Sequence, residues 1–169
     1  MRIYVIQVIG GRERTGAELL RRHAADAIEE CFLPTFELMR RKDGAWRKVR
    51  ELLFHGYLFV KTTDPERLAA RLRRVPVFMR MLGNDNSFTP LAPDEVAWLE
   101  AFTTAKTHVV EMSQGVIEGD TVMVTEGPLK GREALITKID RHKRLAYLDM
   151  HMFGRTKSVR IGLEIVRKQ

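Results

Sequence analysis

The chain has 169 residues, 44% apolar and 30% charged, with a formal net charge of +7 and one cysteine. That length holds one domain or two small ones with real cores, and no apolar run approaches the roughly 20 residues a membrane-spanning helix needs. A single cysteine excludes an internal disulfide and a cysteine-based zinc site, and the apolar start, Met1 to Ile9, lacks the small-residue cleavage site of a signal peptide, so a cytoplasmic protein is expected.

Arg2 to Ile9 reads as a strand of near-continuous apolar residues, fit for the middle of a sheet. Gly10-Gly11 breaks it. Glu13 to about Ala24 has helical periodicity, with Ala17, Leu20 and Ala24 on one stripe and Arg14, Glu18, Arg21 and Arg22 on the other. Cys31 to Arg41 is extended. Asp43-Gly44 signals a turn, and Arg47 to Phe54 returns antiparallel. Tyr57 to Lys61 is a short buried strand. Asp64 caps a second helix with Pro65 at its first position; Pro76 stops it, and Val77 to Leu82 is another strand. Gly83 to Ser87 is a polar loop. Pro93 opens a third helix, with Asp94 and Glu95 in its first turn and Val96, Leu99 and Phe102 as its buried stripe. This order predicts an α+β fold with helices on an antiparallel sheet.

The last third differs in charge. From Gly119 onward there are 11 Lys or Arg against 6 Asp or Glu, which is most of the excess positive charge. Thr121 to Thr125 and Arg132 to Ile139 read as strands around Glu126-Gly-Pro-Leu-Lys-Gly131, which predicts a hairpin with a basic tip and Gly131 in the left-handed region. Further strands are expected from Leu145 to Met150 and from Lys157 to Ile161. The tail as a whole is expected to form a small five-stranded β-barrel. The β-branched residues Thr121, Val122, Val124 and Thr125, with the helix-breaking Gly127-Pro128, exclude a helical form of this segment. The expected division is a first domain over 1–106, a linker over 107–118 and a basic domain over 119–169. A small basic domain is the electrostatic footprint of a nucleic-acid binder.

Enzyme chemistry finds little support. His23, His55, His108, His142 and His151 lack metal-ligand spacing with Cys31 or paired carboxylates. Gly10-Gly11 has neither Walker nor Rossmann spacing. Cys31 has no base beside it in sequence. No enzyme activity, cofactor or metal is expected.

Strand, Gly127-Pro-Leu-Lys-Gly131, then a second strand resembles a KOW motif. Tyr4-Val-Ile-Gln-Val8 with Gly11 and Glu13, Leu53-Phe-His-Gly-Tyr57, Arg74-Val-Pro76 followed by Gly83, and the helix start at Leu91 to Glu95 are similar to a NusG N-terminal (NGN) domain. The resemblance covers nearly the whole chain. It implies a transcription elongation factor whose NGN domain binds the β′ clamp helices of RNA polymerase, with Tyr4, Phe54 and Tyr57 as contacts, and approaches the non-template DNA strand through Arg41, Lys42, Arg47, Lys48, Asn84 and Asn86.

His55 stands where the family signature has Pro, and Ile3 replaces its usual Trp. These departures indicate a specialised paralogue, and the compact Gly127-Pro-Leu-Lys-Gly131 turn with the Lys138 to Arg144 run resembles the LoaP-type branch, which implies processive antitermination and a leader RNA hairpin bound by the KOW domain. Lys130, Arg132, Lys138, Arg141, His142, Lys143, Arg144, Arg155, Lys157 and Arg160 form the expected RNA face. The alternatives are a housekeeping NusG coupling polymerase to a termination factor or ribosome, and a ribosome-associated KOW protein. A monomer with no membrane contact is expected.

Overall fold

The computed structural model describes residues 2–84 and 87–168. Two compact units divide the chain, and neither is continuous: Met1–Leu33 with Phe54–Val96, and Pro34–Leu53 with Ala97–Gln169.

In the first unit, β1 (Arg2–Val8) is followed by α1 (Glu13–His23), a short 3-10 turn (Ala25–Ala27) and β2 (Glu30–Phe32). In the second unit, β3 (Thr35–Lys42) and β4 (Ala45–Leu52) form a long hairpin. The chain returns to the first unit with β5 (Tyr57–Thr62), α2 (Pro65–Leu72), β6 (Met79–Met81), β7 (Gly83–Asn84) and β8 (Ser87–Phe88). The strand order β2-β5-β1-β6 puts β1 and β5 in the centre, as their apolar runs demand. On one face of β1, Tyr4, Ile6 and Val8 pack with Ala17 and Leu20 of α1 and Leu68 and Leu72 of α2. On the other face, Phe59 stacks with Phe32 at 5.5 Å between ring centroids and meets Phe54 at 5.6 Å. The α2 cap is as expected: the Asp64 carboxylate accepts from Arg67 N at 3.1 Å, with Pro65 at the helix start.

Helix α3 (Pro93–Phe102) is fixed at its start by the buried Glu95, which accepts from Ala92 N at 2.7 Å. In the second unit β9 (Val109–Val110) pairs parallel with β3. The strands β10 (Ser113–Glu118), β11 (Thr121–Glu126), β12 (Ile136–Asp140), β13 (Leu145–Met152) and β14 (Arg155–Lys168) make a five-stranded sheet of order β11-β10-β14-β13-β12. Gly162 lies against β3 so closely that a Cβ would run into the Glu37 carbonyl.

Several expectations change. The segment 107–118, expected as a linker, carries β9 and β10. Residues 83–84 and 87–88 pair as a two-strand ladder where only a loop was expected. The hairpin predicted around Gly127–Gly131 does not form as such. Among the described residues β11 pairs with β10 and β12 with β13, and Glu133–Leu135 is a 3-10 turn rather than strand. The intervening loop is pinned inward instead. Leu129 is fully buried and its N–H donates to the buried Ser113 hydroxyl at 3.1 Å. Gly127 and Gly131 both take positive φ, 97° and 76°.

Candidate functional site

The aromatic residues expected to meet the polymerase are core residues here. Tyr4, Phe54 and Tyr57 are all buried, and Tyr4 belongs to the cluster under α1 and α2. The segment they frame is different. Between Phe54 and Tyr57 the His55 side chain is 71% exposed, and Gly56 takes φ 85°. Glu13 holds this turn: its carboxylate, 2% exposed, accepts from Gly56 N at 2.8 Å. Burial alone would push the Glu13 carboxyl up. The Gly56, Glu13 and Gly11 N–H groups and the nearby His55 more than offset that and hold it below the ordinary carboxylate value. The sequence suggested only a helix start at Glu13; a carboxylate 43 positions away is not legible as the partner of Gly56.

The first unit also presents an apolar patch that the sequence reading missed. Ile9, Val77 and Phe78 are 57%, 38% and 50% exposed. They line a pocket with Val8, Arg12, Thr15 and Gly16. Ile9 closes an apolar run and Val77 opens one, so both read as strand residues; β1 ends at Val8, just before Ile9, and β6 begins only at Met79, two residues after Val77.

The cations of the second unit fall into two groups. Lys130, Lys138, Arg141, His142 and Lys143 are exposed, and among the described residues none of them forms an ion pair. Lys138 Nζ lies 5.3 Å from the Tyr147 ring centre, the only such contact in this group among the described residues. The others are engaged inside the unit. Arg132 donates to the Pro128 carbonyl at 2.7 Å and lies 5.1 Å from the Phe102 ring. Arg144 pairs with Glu164 at 3.4 Å and stacks on Trp46 at 4.1 Å. Arg160 pairs with Glu51 at 3.2 Å and lies 5.7 Å from the Phe36 ring. Lys157 sits 5.8 Å from the Phe153 ring. Arg155 is exposed and has interactions of its own.

The expected DNA set is split between the units. Arg41, Lys42, Arg47 and Lys48 are exposed on the β3–β4 hairpin of the second unit. Lys48 has a long ion pair to Glu37 at 3.9 Å. Asn84 is in β7 of the first unit, and Asn86 lies outside the described residues.

No group of three or more His, Cys, Asp or Glu among the described residues could hold a metal ion, and no helix among them is long and apolar enough to cross a membrane.

Comparison with known proteins decides the family. A family model described as "Transcription termination factor nusG" matches residues 1–100, and a KOW motif matches residues 118–149. The chain belongs to the NusG family. The transcription termination/antitermination protein NusG of Lactococcus lactis is 30% identical over 168 residues, covering 95% of this chain and 89% of that protein. NusG of Thermus thermophilus is 27% identical over 173 residues, covering 95% and 94%. A solved structure described as "Domain interaction in Thermotoga maritima NusG" aligns with TM-score 0.55 over 95% of this chain and 93% of that one, at 19% identity, a likeness that concerns the fold alone. The fold is thus an NGN domain followed by a small five-stranded KOW β-barrel. As a NusG-type termination/antitermination factor, the protein is not an enzyme.

Proposed function

We propose that this NusG-type protein is a specialised, LoaP-like antitermination factor of the cytoplasm, a monomer. Its NGN domain binds the β′ clamp helices of RNA polymerase, and its KOW domain binds a leader RNA hairpin. The observation that carries this reading is the group of exposed cations on the KOW sheet and its turns that form no ion pair among the described residues: Lys130, Lys138, Arg141 and Lys143. Such charges release counterions on meeting a phosphate backbone, which is where non-specific affinity for nucleic acid originates. His142 stands among them. Arg132, Arg144 and Arg160 have ring or carboxylate partners, so in this reading they support the face rather than contact phosphate.

On the NGN side, Tyr4, Phe54 and Tyr57 are buried. Phe54 and Tyr57 flank the turn at His55-Gly56 and Tyr4 packs beneath the helices, while Ile9, Val77 and Phe78 offer exposed apolar area of the kind a helical partner can cover. Lys42 and Arg47 of the β3–β4 hairpin are proposed for the non-template DNA strand. The match of a NusG family model to residues 1–100 and of a KOW motif to residues 118–149 supports the two-partner reading. The housekeeping alternative has a termination factor or ribosome in place of the leader RNA.

The test is cross-linking in cells followed by purification of the tagged chain. Recovery of RNA polymerase together with one enriched leader RNA supports the proposal. Recovery of polymerase with a termination factor or ribosomal protein, and no enriched RNA, contradicts it.

A further inference from the structure

The cations of the β3–β4 hairpin and those of the β12–β13 turn were read from sequence as two sites for two nucleic acids. Within the second unit they are joined. Arg144 closes the β12–β13 turn in the left-handed region, φ 57°. Its backbone is held on both sides: its N–H donates to Arg141 O at 3.3 Å, and its carbonyl accepts from Leu163 N at 2.9 Å. Its guanidinium, paired with Glu164, then lies 4.1 Å from the ring centre of Trp46, one residue inside β4. A second tie runs from Arg160 to Glu51 and the Phe36 ring.

Strand geometry decides which hairpin cations share the face of Trp46. Arg41 is its cross-strand partner and therefore lies on the same face. Lys48, two residues along, lies there too, whereas Arg47, whose partner is Arg40, lies on the opposite face. The nearby acids are already occupied. Glu164 holds Arg144, Glu51 holds Arg40 and Arg160, Glu37 takes Met112 N at 2.9 Å and Lys48 at 3.9 Å, and Asp140 takes Lys143 N at 2.9 Å. Asp43, at the hairpin tip, is the remaining carboxylate of that segment. Arg41, Arg141 and Lys143 stay exposed and unpaired among the described residues, and Lys48 is 57% exposed.

We propose that Arg41 and Lys48 of the β3–β4 hairpin and Arg141 and Lys143 of the β12–β13 turn form one RNA-binding strip centred on the Trp46–Arg144 stack. The inference rests on the RNA reading of the KOW domain and enlarges its site with a segment from the NGN half of the sequence. Clustered like charges repel unless a polyanion neutralises them. The strip is short, and its centre is planar. A single-stranded RNA loop, with splayed bases that stack on aromatic and guanidinium planes, fits it better than a regular duplex does.

The test uses the full chain, a labelled RNA stem-loop with an unpaired loop, and a DNA stem-loop of the same sequence, titrated at several salt concentrations. The slope of log affinity against log salt should shrink by about 0.7–0.9 for Arg41→Gln and again for Lys48→Gln. Arg40→Gln, on the other face and with Glu51 still held by Arg160, should leave it unchanged. Arg141→Gln with Lys143→Gln should also reduce it. These are exposed positions, and unchanged thermal unfolding of each variant confirms the fold. If the Arg141 and Lys143 changes lower the slope but the Arg41 and Lys48 changes do not, this inference fails while the KOW reading stands. If none of the four matters, both fail. Equal loss from Arg40→Gln, or equal binding and equal losses with the DNA stem-loop, would overturn the face-specific RNA strip.

Discussion

Glu13 shows how one residue can carry a segment far away in sequence. It is buried, yet its carboxyl stays below the ordinary value of 4.5, because three backbone N–H groups and His55 outweigh desolvation. Removing the acceptor leaves the Gly56 N–H without its partner. Glu13→Ala should therefore cost about 1–3 kcal/mol in urea unfolding. The sign of the pH effect follows from the lowered folded-state value. The contribution is fully present above pH 4.5 and is lost as pH falls through the lower folded value. Asp26 behaves in the same direction: a hydrogen bond from Arg71, with Arg67 nearby, holds it at about 2. Stability of the natural chain should fall between about pH 4 and pH 2, with a smaller fall in Glu13→Gln, measured by thermal unfolding across that range. A pH dependence identical in Glu13→Gln would remove Glu13 from this account. Cys31 is the opposite case. It is buried, and burial pushes its thiol up to about 11. Alkylation by iodoacetamide at neutral pH should be slow in the native chain and fast in denaturant; rapid native labelling would contradict the structure.

At the scale of elements, the loop around Gly127 is the main lesson about legibility. Its turn chemistry was plain in the sequence, as were the cap of α2, the opening of α3 at Pro93, the central position of β1 and the sheet-forming tail. The pairing was not. Which strand lies beside which is a non-local matter, and Gly-Pro-Leu-Lys-Gly is compatible with a tight hairpin or with a loop pinned by Leu129. Burial of Leu129 beside Ser113 decides it. At Gly127 a Cβ would meet Ser113 at 2.6 Å as well as requiring φ 97°, whereas at Gly131 it meets nothing within 4 Å. Gly127→Ala should destabilise by more than Gly131→Ala, whose cost is confined to a left-handed backbone of about 1 kcal/mol; chemical denaturation of both variants checks the order. The strand β10 matters in the same way. It stands between β11 and β14, so a fragment beginning at Gly119 lacks a central strand. That fragment should show poor amide dispersion by NMR, and one beginning at Met112 should show a folded sheet. Good dispersion from the shorter fragment would refute the role given to β10.

For the whole molecule, charge was the feature of the site most legible in sequence. The excess of Lys and Arg after Gly119 pointed to a nucleic-acid face. What the sequence could not reveal is which of those cations are free. Arg132, Arg144 and Arg160 look like Lys143 in a list of residues, but each has an aromatic ring and a polar partner. Those partners come from segments as distant as Trp46 and Glu51, so no local pattern announces them. The same limit applied to Tyr4, Phe54 and Tyr57: the motif marked them, and only packing shows that they are buried. The claim that joins both halves is that polymerase binding and RNA binding reside in one chain and act together. It is tested most directly by transcription in vitro through an intrinsic terminator, on templates with and without the upstream leader. We predict that the full chain raises read-through only when the leader is transcribed, and that Arg141→Gln with Lys143→Gln removes the effect. Read-through that is equal without the leader, or unchanged by those substitutions, would contradict it.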